Sequence, residues 1–159
     1  YVSRQPSLEH QYTCDEVCSA LRAWSHATGN GMAFSAPGVI FAEDDNVAPD
    51  VVWLSRERLR AARGADGKLH QAPELMVEVL SPGAANERRD REAKRKLYAR
   101  RGVDEYWIVD LQGRRVEVFR QVGGALEPSG TLLATDRLES PLLPGFGISV
   151  EALFLAATL

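Results

Sequence analysis

Leu75-Met76-Val77-Glu78-Val79-Leu80 is the stretch on which the architecture turns. It opens after Pro73-Glu74 and is stopped by Ser81-Pro82-Gly83. Apolar residues occupy both alternating faces, the pattern of a central strand covered on each side. Glu78 interrupts it. An unpaired carboxylate buried in such a strand costs several kcal/mol, on the order of the effective per-ion penalty in proteins. A basic side chain, a raised pKa or a metal ion has to compensate. The plainer readings are an exposed edge strand or a partner among the many arginines.

Upstream, Ala48-Pro49-Asp50-Val51-Val52-Trp53-Leu54 reads as a second strand with an acid at its mouth. Strands alternate sides, so Asp50 shares a face with Val52 and Leu54, and Glu78 shares one with Met76 and Leu80. If the two strands are neighbours, both carboxylates converge. Alone they would repel, and a divalent cation between them removes the conflict. Asp50 also fits a plain loop cap or a solvated acid.

Downstream, Asn86 to Arg101 reads as a helix ending at Gly102. From Glu87 to Arg101 it carries eight basic residues and three acids, a net +5 that leaves the rest of the chain at −8 against a total of −3. Such a block neutralises phosphates or forms a solvated face. Ala93, Leu97 and Tyr98 are the expected docking residues. Lys94 borders them and is placed to point at the strand ends; Lys96 flanks them from the other side.

Farther out, Ser7 to Ala27 shows a single apolar stripe, Cys14, Val17, Cys18, Leu21 and Trp24, with Ser7 as N-cap and Gly29 beyond the C-terminus. Gly31 to Phe41 reads as a hairpin around Ala36-Pro37-Gly38. Glu43 to Asn46 is an acidic loop, and Ser55 caps a short helix, Arg56 to Arg63. Asp104 to Leu111 and Arg114 to Val122 are strands joined at Gln112-Gly113. The Gly- and Pro-rich remainder reads as short strands and turns, closed by a short helix or strand from Val150 to Ala157. The fold class is α+β, a mixed central β-sheet flanked by helices.

Composition bounds the rest. The chain has 159 residues, 45% hydrophobic and 26% charged. At this length a chain buries roughly 70% of its unfolded surface, so residues 1–159 are read as one domain. No apolar run reaches the ~18 residues of a membrane span. The start shows no signal peptide and no initiator Met, so a short N-terminal segment is expected to be missing. Cys14 and Cys18, four apart on one helix face, are poorly placed for a disulfide and read as small buried groups. A reducing, cytoplasmic setting follows. No Gly-rich phosphate loop, His-Glu-x-x-His pair or Gly-x-Ser-x-Gly elbow is present.

In order along the chain, Ala48-Pro49-Asp50-Val51, Ala72 to Pro82, Arg89-Asp90-Arg91-Glu92-Ala93-Lys94 with Tyr98, Gly102 to Asp110, and Leu143-Pro144-Gly145-Phe146 resemble the Uma family of putative restriction endonucleases, within the PD-(D/E)XK nuclease superfamily. Each piece is modest alone; the ordered set, from about Pro6 to Phe154, is specific. The resemblance implies a restriction-endonuclease-like fold. Pro49-Asp50 corresponds to the Pro-Asp of the motif and Glu78 to its second acid. The superfamily places lysine two residues after that acid, where this chain has Leu80. Lys94 matches the family's helical lysine, and His10 its first-helix pattern, beside Glu9. A further acidic segment normally precedes this point in the family.

The implied activity is endonucleolytic hydrolysis of DNA phosphodiesters. Asp50 and Glu78 would hold Mg2+ or Mn2+, Lys94 would act at the reacting phosphate, and Arg88, Arg89, Arg91 and Arg95 would contact the backbone. One rival reading is a catalytically silent nucleic-acid-binding or dimerisation module of the same fold. Another is a structural domain whose acids are bridged to arginines. Exposed strand edges leave room for a homodimer.

Overall fold

The computed structural model describes residues 7–42, 45–81 and 88–158. Chain order is α1 (Leu8–Thr28), β1 (Met32–Ser35), β2 (Val39–Ile40), β3 (Asn46–Val47), β4 (Val51–Leu54), α2 (Arg56–Ala62), β5 (Leu75–Leu80), α3 (Arg88–Arg101), β6 (Glu105–Asp110), β7 (Arg115–Val122), β8 (Ala125–Leu132), β9 (Arg137–Leu138), β10 (Ile148–Ser149) and a 3-10 segment (Val150–Thr158). Six strands form the main sheet in the order β1-β4-β5-β6-β7-β8. The arrangement is mixed α+β, as the sequence implies. The Pro82-Gly83 stop, the helix start at Asn86 and Glu87, and the loop acids Glu43 and Asp44 lie outside the described residues.

β5 is central, antiparallel to β4 and parallel to β6. The parallel pair requires a crossover, and α3 is its helix. This placement explains the apolar run. Leu75, Val77 and Val79 join a core with Cys14, Val17, Cys18 and Leu21 of α1 and Leu153 and Phe154 of the 3-10 segment. Met76 turns to a second core with Val52, Ala62, Tyr98, Tyr106 and Phe119. Each buried side chain of this size contributes about 1.5–3 kcal/mol, so two filled faces fix the register of β5.

Local signals set the element ends. The Ser7 hydroxyl accepts from the His10 N–H at 3.1 Å, capping α1. Gly29 ends the helix in the left-handed region. Gly31 is also left-handed, and a side chain there would run into the Trp53 ring.

Three expectations are corrected. Gly31 to Phe41 is not a hairpin: β1 pairs with β4, and β2 pairs with β3. The apolar face of β1 finds a better partner in the buried β4, and Ala36-Pro37-Gly38 carries the chain out of the sheet. The stretch after Gly124 includes a full strand, β8, despite Pro128 and Gly130. Being at the sheet edge it tolerates proline, and the register shifts at Val118/Phe119. Ala93 is exposed, so α3 docks through Tyr98 with help from Leu97 and Ala99.

Candidate active site

Glu78 is buried within β5 at 8% exposure, and its carboxylate is held from two elements. Tyr98 of α3 donates to Oε1 at 2.8 Å, and Tyr106 of β6 donates to Oε2 at 2.7 Å. The rings meet edge to face, with centroids 5.2 Å apart. Lys94, one helical turn before Tyr98, brings Nζ to 3.5 Å from Oε1. Burial, with the negative charge of Glu78 adding to it, pushes the Tyr106 phenol well above its ordinary value. It therefore remains a donor at neutral pH.

Asp50 lies just before β4. Val51 pairs with Val77, so the next step of this register sets Asp50 opposite Glu78. The Val79 N–H donates to Oδ2 of Asp50 at 2.8 Å. On the other side, His10 Nε2 stands 3.5 Å from Oδ1. The hydrogen bond to Asp50, opposed by burial, raises the pKa of His10. Cys14, one turn along α1, places Sγ 3.7 Å from His10 Nδ1. Burial, then the charge of Asp50, pushes that thiol up to about 12. It is a neutral thiol at pH 7 and no nucleophile.

No arginine salt bridge reaches Asp50 or Glu78 among the described residues. Glu105 is the contrast. It is 1% exposed and satisfied as a structural acid is, by the Trp107 indole N–H at 2.6 Å and the Arg120 guanidinium at 3.1 Å. Glu78 instead meets two neutral phenols and a lysine that keeps part of its surface in water.

Beside Glu78 the row continues across the sheet. Glu78 pairs with Ile108, and Ile108 with Glu117. Ile108, Glu117 and Phe119 floor a cavity of about 240 Å³ walled by Arg88, Arg91, Glu92 and Arg95 of α3. The Nε of Arg91 is buried there and has no hydrogen-bond partner among the described residues. Arg95 lies over the Phe119 ring, 5.0 Å from its centroid. The side chain of Arg89 lies outside what the structure describes.

The structure thus joins Lys94 to Glu78 and sets Asp50 across from Glu78. Tyr98 and Tyr106 were legible only as aromatics of the helix stripe and the strand. Their signal is chemical: a buried phenol has to find an acceptor, and Glu78 was the buried acid in need of donors. Cys14, read as a small buried group, is buried but also adjoins His10.

Oxygen donors suited to a hard dication are present. Each carboxylate offers about four lone-pair sites. Both oxygens of Glu78 accept one phenol each, and Oδ2 of Asp50 accepts one N–H, so acceptor capacity remains on both acids. Carboxylate oxygens are the donors that Mg2+ or Mn2+ takes; here His10 of α1 stands against Asp50, whereas Tyr98 and Lys94 of α3 and Tyr106 of β6 hold Glu78. No helix among the described residues is long and apolar enough to cross a membrane.

None of the curated proteins matches this chain. Among solved structures, it is similar to a putative nuclease belonging to DUF820 from Anabaena variabilis, with a TM-score of 0.75 and 18% identity over 97% of this chain and 84% of that one. That likeness establishes the fold. The type IIG restriction endonuclease BpuSI overlaps at a TM-score of 0.48 and 15% identity, covering 96% of this chain and 16% of that one. The Uma2 family profile, described as putative restriction endonuclease, matches residues 1–151. With nearly the whole chain inside that match, the protein belongs to the Uma2 family of putative restriction endonucleases.

Proposed function

We propose that this protein is a metal-dependent endonuclease that hydrolyses phosphodiester bonds in DNA, with Asp50 and Glu78 as ligands of Mg2+ or Mn2+ and Lys94 as the catalytic amine. One observation carries the reading: Lys94 Nζ lies 3.5 Å from a buried strand carboxylate, Glu78, that has no guanidinium among its described partners. Leu80 occupies the position where the superfamily has its strand lysine, and the ammonium from α3 reaches the same acid.

When bound, the ion supplies a water of lowered pKa and Lewis acidity at the phosphoryl oxygen. The chain's own residues do the rest. The Tyr98 and Tyr106 hydroxyls fix the orientation of the Glu78 carboxylate. The Val79 N–H fixes that of Asp50. Lys94 stabilises negative charge growing on the phosphate. Arg88, Arg91 and Arg95 take flanking phosphates, because their cavity begins one strand from Glu78 and ends at Glu117, roughly 10 Å away at the usual strand spacing. Contacts of this kind position a substrate without reading its sequence.

The test is cleavage of supercoiled plasmid and linear duplex in Mg2+ or Mn2+ by the wild type, Asp50→Ala and Glu78→Ala. Metal-dependent cleavage lost in both variants, with the folded circular dichroism spectrum kept, supports the reading. Cleavage that persists in both overturns it. A silent module, the reading that Leu80 favours, would show neither cleavage nor Asp50-dependent Mn2+ binding by calorimetry.

A further inference from the structure

We infer that His10, Cys14 and Asp50 form a thiol-containing site for a borderline-soft dication such as Zn2+, and that this ion inhibits the protein by taking Asp50 from the hard ion. The inhibitory half rests on the nuclease reading; the binding half does not.

One imidazole nitrogen, the Cys14 sulfur and one Asp50 oxygen all lie within 4.8 Å of one another. Zinc bonds of about 2.0–2.3 Å in tetrahedral geometry set ligand atoms about 3.5 Å apart, so closure takes roughly 1 Å of side-chain movement. Two separations are already near that value, 3.5 Å from His10 Nε2 to Asp50 Oδ1 and 3.7 Å from His10 Nδ1 to Cys14 Sγ. These use different ring nitrogens, so binding turns the imidazole until one nitrogen serves the ion. His10 and Cys14 are four apart on α1, the spacing by which two helical side chains meet one ion.

Access has a direction. The side chains of Asp50 and His10 are 27% and 17% exposed, and Cys14 lies beneath at 8%. An ion meets oxygen and nitrogen first and the sulfur last. On binding, the thiol proton passes to solvent and the thiolate becomes a ligand. Mg2+ gains nothing from sulfur, whereas Zn2+ and Co2+ do. Asp50 is therefore shared by two ligand sets, one completed by Glu78 for hard ions and one completed by Cys14 for softer ions.

The test uses the full chain and Co2+ as a spectroscopic stand-in for Zn2+. One equivalent of Co2+ is expected to give a sulfur-to-cobalt charge-transfer band in the near ultraviolet, removed by Zn2+. The band is expected to vanish in Cys14→Ser, to persist in Cys18→Ser, and to need at least ~10-fold more Co2+ in Asp50→Asn. Should Cys14→Ser fail to fold by circular dichroism, His10→Gln takes its place, with loss of the band expected. No band in the wild type, or a band that survives loss of Cys14 or of His10, overturns the site. In cleavage assays Zn2+ is expected to inhibit the wild type and to inhibit Cys14→Ser at least ~10-fold less strongly. A Co2+ band with no cleavage under any ion leaves the site standing while the nuclease reading falls. Cleavage without a band does the reverse.

Discussion

Lys94 Nζ stands 3.5 Å from Oε1 of Glu78, although the two are sixteen positions apart and belong to different elements. The strand supplies the acid, and the crossover helix that follows it supplies the amine. Lys94→Met is expected to lower single-turnover cleavage by about 10²–10³, the usual cost of deleting one donor that stabilises a developing anion. Its side chain is 38% exposed, so stability should stay within about 0.5 kcal/mol. Calorimetric Mn2+ affinity should also be kept. Full cleavage by Lys94→Met would show that the amine acts elsewhere.

The two phenols on Glu78 have a structural readout as well. Tyr106→Phe removes a buried donor to a carboxylate, which costs about 1.5–3 kcal/mol. Urea denaturation of Tyr106→Phe, Tyr98→Phe and the double variant forms a cycle. Both hydroxyls hold the same carboxylate, so coupling above about 0.5 kcal/mol is expected. Strict additivity would mean that the two hydroxyls act independently.

On the proposed reading Glu105 is a structural acid and Glu78 a functional one. Arg120→Ala leaves Glu105 buried without its guanidinium. A loss of about 2–3 kcal/mol is expected, below the full range for broken buried pairs because Arg120 is 40% exposed. Cleavage by the protein that remains folded should be unchanged. Glu78→Gln should abolish cleavage and leave no guanidinium unpaired. Denaturant midpoints and activities measured in parallel decide it; cleavage retained by Glu78→Gln would return Glu78 to the framework.

The arginine-walled cavity makes a salt-dependent prediction. Each phosphate contact contributes about one unit to the slope of log affinity against log salt. Anisotropy titrations of Glu78→Gln protein with duplex DNA should lose roughly one unit of slope in Arg91→Ala and again in Arg95→Ala. Unchanged slopes would place the DNA on another face.

Asp104 sets a pH dependence away from the site. Burial pushes its carboxyl up, Arg58 at 3.4 Å pulls it down, and the charge of Glu74 adds to the rise. The folded state therefore keeps this proton to higher pH than the unfolded chain. Between the ordinary carboxylate value and the raised one, the folded state binds more protons, so stability from this group falls as pH rises. Asparagine does not titrate. The melting temperature of Asp104→Asn minus that of the wild type should shift upward from pH 3 to pH 7. A flat or downward difference would mean that the Arg58 contact outweighs burial.

The sequence by itself determined the elements whose signals are local. The apolar run around Glu78 demanded a covered strand, the stripe from Cys14 to Leu21 demanded a packed helix, and the charge of α3 left one narrow face for docking, with Lys94 at its border. It could also pose the problem of Glu78, because burial of a carboxylate has a cost wherever the partners come from. Tertiary structure decided which partners answered. Tyr98 and Tyr106 meet Glu78 only because α3 crosses from β5 to a parallel β6, and His10 meets Asp50 only because α1 lies against the mouth of β4. Strand pairing was hidden for the same reason: β1 passes over its neighbour in sequence to join β4, since pairing follows the burial offered by the assembled sheet rather than proximity along the chain.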